Sequence, residues 1–345
     1  MQKSSILFIL KSFFVWRVTT LLIAYLAILF VPRLSDNFLG GMISDYNSNP
    51  FLWSWANFDG EHYLSIAVNG YKDLQQAFFP LYPLLIRFFG GSIVSALLIS
   101  NLSLLISLVG LYKLIELDYD QKVARLSIIL LLMFPSSFFF GAVYTESLFL
   151  ALVVWGFYFF RKRKFLLGVV LGSLSSLTRI IGIIPIGVFG YMGYSKYKWG
   201  DALALFHNQI NFGEQRSDHL IMLPQVFYRY FVKILPSLSW NYFPIVFTTL
   251  LEIVVAIAFL LVIIYSFKKI RLEYWLFLTI GYLIPTLTGS FSSMLRYVIV
   301  LFPAFIYLAT NIVKFKKQAQ IFIFTTMLIL LVITEALFMR GYFVS

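Results

Sequence analysis

The sequence predicts an all-α polytopic membrane protein with about nine transmembrane helices. Three observations carry that prediction. Of 345 residues, 60% are hydrophobic and 12% charged, more apolar surface than a soluble interior can hide. The apolar residues fall in stretches close to the roughly 20 residues that cross a hydrocarbon core, and the mean hydropathy is +0.87. The basic residues gather in short links between those stretches, as in cytoplasmic loops.

The first stretch, 13–31, follows Lys3 and Lys11. It is too long for a signal peptide, and no small-x-small cleavage site precedes Pro32, so it is expected to span with the amino terminus in the cytoplasm. Further spans are expected at 92–114, 124–141, 146–160, 165–194, 243–267, 273–289, 294–313 and 320–339. Counting from a cytoplasmic amino terminus, these crossings put the basic links Arg161–Lys164, Lys268–Arg271 and Lys314–Lys317 inside and the carboxyl terminus outside. Residues 165–194 are long for one helix and short for two, and Arg179, Gly182 and Pro185 in their middle suggest a broken or re-entrant helix crossing once. Residues 1–345 therefore read as a single membrane domain with two stretches on the outer face, 32–91 and 195–240. No internal repeat or low-complexity tail is visible.

The net charge of +12 would suggest a nucleic-acid partner in a soluble protein, but its placement in membrane-flanking links excludes that reading. The absence of cysteine excludes disulfides, thiolate metal sites and a cysteine nucleophile. Aromatic residues, 19% of the chain, suit lipid contact, interfacial belts or sugar stacking, and counting does not separate these uses.

Candidate chemistry begins in the segment FDGEHYLSIAVNGY, residues 58–71. As a helix it puts Asp59, His62, Tyr63 and Ile66 on one face at i, i+3, i+4 and i+7, with Gly70 suited to end it. Such a helix would lie along the outer interface and hold a base at head-group level. Asp59 serves equally well as a helix cap, and His62 and Tyr63 as amphipathic anchors. A metal held by Asp59, Glu61 and His62 is disfavoured because adjacent acids diverge on a helix. His207 and His219 lack ligand-like spacing. The run AFFPLYPLL, residues 77–85, contains Tyr82 and reads by default as a bent, aromatic-anchored helix start.

Glu146 opens the next candidate helix, where the positive end of the macrodipole accounts for it as well as a site does. Arg179 is the only charge between Lys164 and Lys196. An arginine near the centre of a span costs about 2.5–3.5 kcal/mol, so it needs a partner and is functional by default. Arg296 starts a span at the same face, either as a snorkelling interfacial residue or, with Arg179, as fixed positive charge suited to a phosphate.

Five ordered segments resemble the PIG-V-type mannosyltransferases of the GT-C class: FDGEHYLSIAVNGY with AFFPLYPLL, FPSSFFFGAVYTESLF, SLTRIIGI, WGDALALF with a following Gln, and MLRYVIVLFP. The resemblance implies a GT-C-like bundle that transfers a sugar, mannose by expectation, from a polyprenyl-phosphate donor to an acceptor hydroxyl on the non-cytoplasmic face, with inversion. It further implies that Asp59 is the general base and that Arg179 and Arg296 hold the donor phosphate. Tyr144 and Glu146 would line the cavity, and His62 and Tyr63 would orient the acceptor or Asp59. Tyr82 joins the expected substrate-binding set. Two arginines suffice for a monophosphate leaving group, so no obligatory cofactor or metal is expected.

Phe58 stands where the family usually has Trp, and Ile181 where an Asn commonly follows the Arg, which bears on donor identity. The chain is short for eukaryotic members, pointing to a prokaryotic cytoplasmic membrane and a different glycan, glycolipid or protein acceptor. Membrane lipids are the other expected partners. The rival readings are a transporter or flippase of a lipid-linked sugar, which would need no base, and a non-catalytic subunit that keeps the fold.

Overall fold

The structure, a computed structural model, describes residues 2–34, 43–208 and 220–344. Gln209 and His219 lie outside them. The described residues are helical throughout. Helix α1 (Lys3–Phe30) leads into the short helices α2 (Ile43–Ser48) and α3 (Pro50–Trp53), then α4 (Asp59–Asn69) and α5 (Leu81–Phe88). Helices α6 (Ile93–Ile115), α7 (Gln121–Met133), α8 (Glu146–Arg161) and α9 (Phe165–Ser176) follow. Next come α10 (Ile186–Trp199), α11 (Ala204–His207), α12 (Leu223–Tyr228) and α13 (Leu235–Ser237). The chain closes with α14 (Phe243–Ser266), α15 (Leu272–Thr286), α16 (Met294–Ile299), α17 (Phe302–Ile312) and α18 (Lys317–Met339).

Among the described residues four helices, α1, α6, α14 and α18, are long and apolar enough to cross a membrane unbroken. The other expected spans fall on shorter or interrupted helices. Over 124–141, α7 stops before Pro135 and the chain continues as a 3₁₀ turn, Ser137–Gly141. Pro303 sits in the first turn of α17, where a missing N–H costs nothing, and separates it from α16.

The expected break in 165–194 is present between Ser176 and Ile186. Its backbone is satisfied locally, as an apolar surrounding demands. Ile183 N–H donates to Ser175 Oγ at 3.0 Å, and Gly187 N–H to Ser176 Oγ at 3.0 Å. Gly182 is required there, because a Cβ would lie 2.3 Å from the Ser176 backbone. Arg179 rides on this interruption.

Two ends of the bundle can be told apart by their contacts. At one, Arg161 and Arg271, from two of the basic links, meet on Asp118. Ser5 Oγ near the start of α1 bonds Tyr112 at the far end of α6. At the other, Asn57 Nδ2 and Tyr46 Oη donate to the Phe338 and Met339 carbonyls, tying the segment around α4 to the end of α18.

Candidate active site

Helix α4 forms with the register the spacing predicts and ends at Gly70, whose φ of +79° favours glycine. Asp59 is its first residue rather than its cap. The cap position is Phe58, whose φ of +59° and ψ of −117° are costly for a residue with a Cβ. That backbone is held by ring packing on both sides, with Phe58 5.7 Å from Phe338 and 5.7 Å from Phe343. Gly60 lets the helix start approach the 141–145 segment, where a Cβ would stand 3.3 Å from the Val143 carbonyl oxygen.

Asp59 meets three residues that lie far from it in sequence. Arg296 Nη1 donates to Asp59 Oδ2 at 2.7 Å, and Arg296 Nε donates to Glu146 Oε1 at 3.0 Å. Arg179 Nη1 donates to the same Glu146 oxygen at 2.8 Å. The guanidinium of Arg296 thus bridges two carboxylates, and Glu146 gathers two arginines. Side-chain exposure is 0% for Glu146, 9% for Arg179, 10% for Arg296 and 27% for Asp59. Only Asp59 is open enough to meet a reacting group directly.

Aromatic faces wall the cations. Arg296 sits 4.5 Å from the Tyr144 ring and 5.2 Å from Phe139, while Arg179 is 5.4 Å from Tyr297. The Tyr144 hydroxyl donates to the Asn57 carbonyl, fixing the turn that leads into Asp59. Burial, then the charge of Asp59, pushes the Tyr144 phenol far above its ordinary range, so it stays a neutral donor.

The expected site residues are not equivalent. Asp59, Glu146, Arg179 and Arg296 form one network, with Tyr144 against it. Arg179 has the partner its intramembrane position requires, and Arg296 is buried rather than snorkelling. Glu146 lies behind the arginines as their anchor, deeper than a cavity wall, and its Oε2 has no hydrogen-bond partner among the described residues. Tyr63 is buried, edge-on to Phe78 at 5.2 Å and to Tyr82 at 5.3 Å. Burial, then the charges of Asp59 and Glu146, raises its phenol too.

Tyr82 is fully buried, its hydroxyl on Ser100 Oγ at 2.8 Å, and supports Tyr63 from behind. His62 stacks on Phe78 at 4.8 Å, half-buried beside Asp59 on the same helix. His207 pairs with Asp201 on the surface. Among the described residues no three His, Asp or Glu side chains gather as a metal site would require.

Three buried charges inside apolar runs escaped the sequence reading: Arg17, Glu252 and Glu335. The signal that marks Arg179, a lone charge in a span, marks them as well. Glu252 accepts the Ser293 N–H at 3.0 Å, three residues before Arg296. Arg17 lies 4.3 Å from the Trp55 ring, four residues before Asp59.

The family model described as mannosyltransferase (PIG-V) matches residues 4–209. The match holds Asp59, Glu146 and Arg179, and stops before Arg296 and the MLRYVIVLFP segment. No curated protein and no solved structure matches the chain.

Proposed function

Because this chain belongs to the PIG-V mannosyltransferase family, we propose that it transfers a mannosyl group from a polyprenyl-phosphate donor to an acceptor hydroxyl, with Asp59 as the base. The observation that carries this reading is the Arg296 bridge. It sets one accessible carboxylate, Asp59, 2.7 Å from a buried guanidinium whose other edge rests on Glu146.

As built, the four charges balance, two carboxylates against two arginines. A donor phosphate adds negative charge, so binding it requires an arginine to change partners. Arg296 turns from Asp59 Oδ2 to the phosphate, while Arg179 remains on Glu146 and adds its positive field. The exchange leaves Asp59 Oδ2 to accept a proton. The acceptor oxygen then attacks the anomeric carbon and its proton passes to Asp59. The bond from that carbon to the phosphate oxygen breaks, its electron pair leaving with the polyprenyl monophosphate. Attack from the face opposite the leaving group inverts the anomeric centre.

Catalysis by a base and two cations in an apolar wall needs water held away, which the Tyr144, Phe139 and Tyr297 rings supply. The site shares its end of the bundle with the carboxyl-terminal end of α18, away from the basic links. With those links cytoplasmic by the positive-inside rule, transfer takes place on the outer face of a prokaryotic cytoplasmic membrane. The test is purified protein in liposomes, given polyprenyl-phosphate mannose labelled in the sugar and a membrane extract as acceptor. Labelled product with release of the polyprenyl monophosphate supports the proposal. Donor binding with no product contradicts it.

A further inference from the structure

A second polar site lies beside the first, at the start of α14. A cleft of about 210 Å³ opens there, lined by Thr249, Glu252, Ser292, Tyr242, Tyr342 and Phe343 among others. It borders the Asp59 site through two contacts. The Phe343 ring packs edge-on against Phe58, the residue before Asp59. Ser292 lies four residues before Arg296 on the segment that leads into α16.

Its chemistry differs from that of the Asp59 site. The described lining holds one carboxylate, several hydroxyls and aromatic rings, and no lysine or arginine. Glu252, 5% exposed in an otherwise apolar helix, is costly to keep there without a polar partner. Ser292 is 7% exposed, and its Oγ has no hydrogen-bond partner among the described residues. A buried hydroxyl without a partner beside an open cleft calls for a ligand group.

We propose that this cleft is the acceptor subsite, taking a neutral sugar head group whose hydroxyls bond Glu252 and Ser292 while its ring lies against the aromatic side chains. A phosphate is disfavoured, since the lining offers a carboxylate and no cation. A metal ion is disfavoured, since one carboxylate is too few ligands. Few, well-placed polar groups among aromatic walls are how proteins orient a small neutral ligand. The volume suits one hexose ring, and the shared wall at Phe343 brings a bound acceptor to the side of Asp59. This inference rests on the transferase reading, which gives a sugar in this cleft an acceptor's role.

The test reads binding and needs no turnover, so it fails separately from the transfer assay. The chain has no cysteine, and Thr249 is half-buried on the lining, so Thr249→Cys gives a single labelling site. Methyl α-mannoside at ten times its Kd is expected to slow maleimide labelling by roughly tenfold, as occupancy requires. Adding Ser292→Ala or Glu252→Gln should remove most of that protection. Glutamine keeps an oxygen for the Ser293 amide, and circular dichroism verifies the fold of each variant. Labelling that the glycoside does not slow, or protection undiminished in both variants, overturns the proposal. So does protection by farnesyl phosphate in place of the glycoside, which would make the cleft a donor site.

Discussion

Two clusters at opposite ends of the bundle use the same chemistry, arginine on carboxylate, in opposite ways. At the end with the basic links, Asp118 takes paired hydrogen bonds from Arg161, at 2.6 and 2.9 Å, and from Arg271, at 2.9 and 2.7 Å. Both carboxylate oxygens are saturated, and the Arg271 side chain is 44% exposed. The cluster ties the α6–α7 turn to the end of α8 and the start of α15. At the Asp59 end two carboxylates share two arginines through single oxygens, Glu146 is fully buried, and its Oε2 is unpaired among the described residues. The first arrangement is complete in itself. The second has lone pairs and positive charge to offer a ligand, in a low-dielectric wall where each is worth more.

The contrast predicts unequal responses to removing each anchor. Glu146→Ala leaves two buried arginines without their shared partner, and is expected to destabilise the protein by roughly 3–5 kcal/mol. A thermal melt in detergent measures this, and an unchanged midpoint would break the comparison. Arg296→Lys keeps the charge but loses the planar fork that joins Glu146 to Asp59. Transfer should fall by roughly 10²- to 10³-fold, with the melting midpoint changing much less.

Asp118→Asn is the smallest effect, at most about 1 kcal/mol because solvent screens the pair, with transfer unchanged. Its pH dependence sharpens the point. Burial works to raise the Asp118 carboxyl, but the hydrogen bonds and charges of Arg161 and Arg271 outweigh it and bring the pKa down from 3.8 to about 2. A depressed carboxyl contributes fully above its unfolded value. The stabilisation should therefore be lost between pH 3.8 and 2 in the wild type, a slope that Asp118→Asn should lack.

Much of this was legible in local spacing. The register of Asp59, His62 and Tyr63 follows from helical periodicity, and the break around Arg179 from its charge, Gly182 and Pro185. Pairing was not legible, because Asp59 and Arg296 are 237 residues apart and Arg179 and Glu146 meet across a helix interruption. Local rules carry no information on such contacts. The depth of Tyr63 and Tyr82 was hidden for a related reason: an aromatic at an interface can face a substrate or a packed core, and only tertiary structure decides. Glu252 was within reach of the rule applied to Arg179, since it too is a lone charge in an apolar run.

The most direct test compares wild type with Asp59→Asn for mannose transfer from polyprenyl-phosphate mannose in liposomes, with donor binding measured in parallel. Asparagine keeps an oxygen for Arg296 but is no base, so transfer should fall by roughly 10²- to 10⁴-fold while donor binding is retained. Transfer at the wild-type rate in Asp59→Asn would contradict the account.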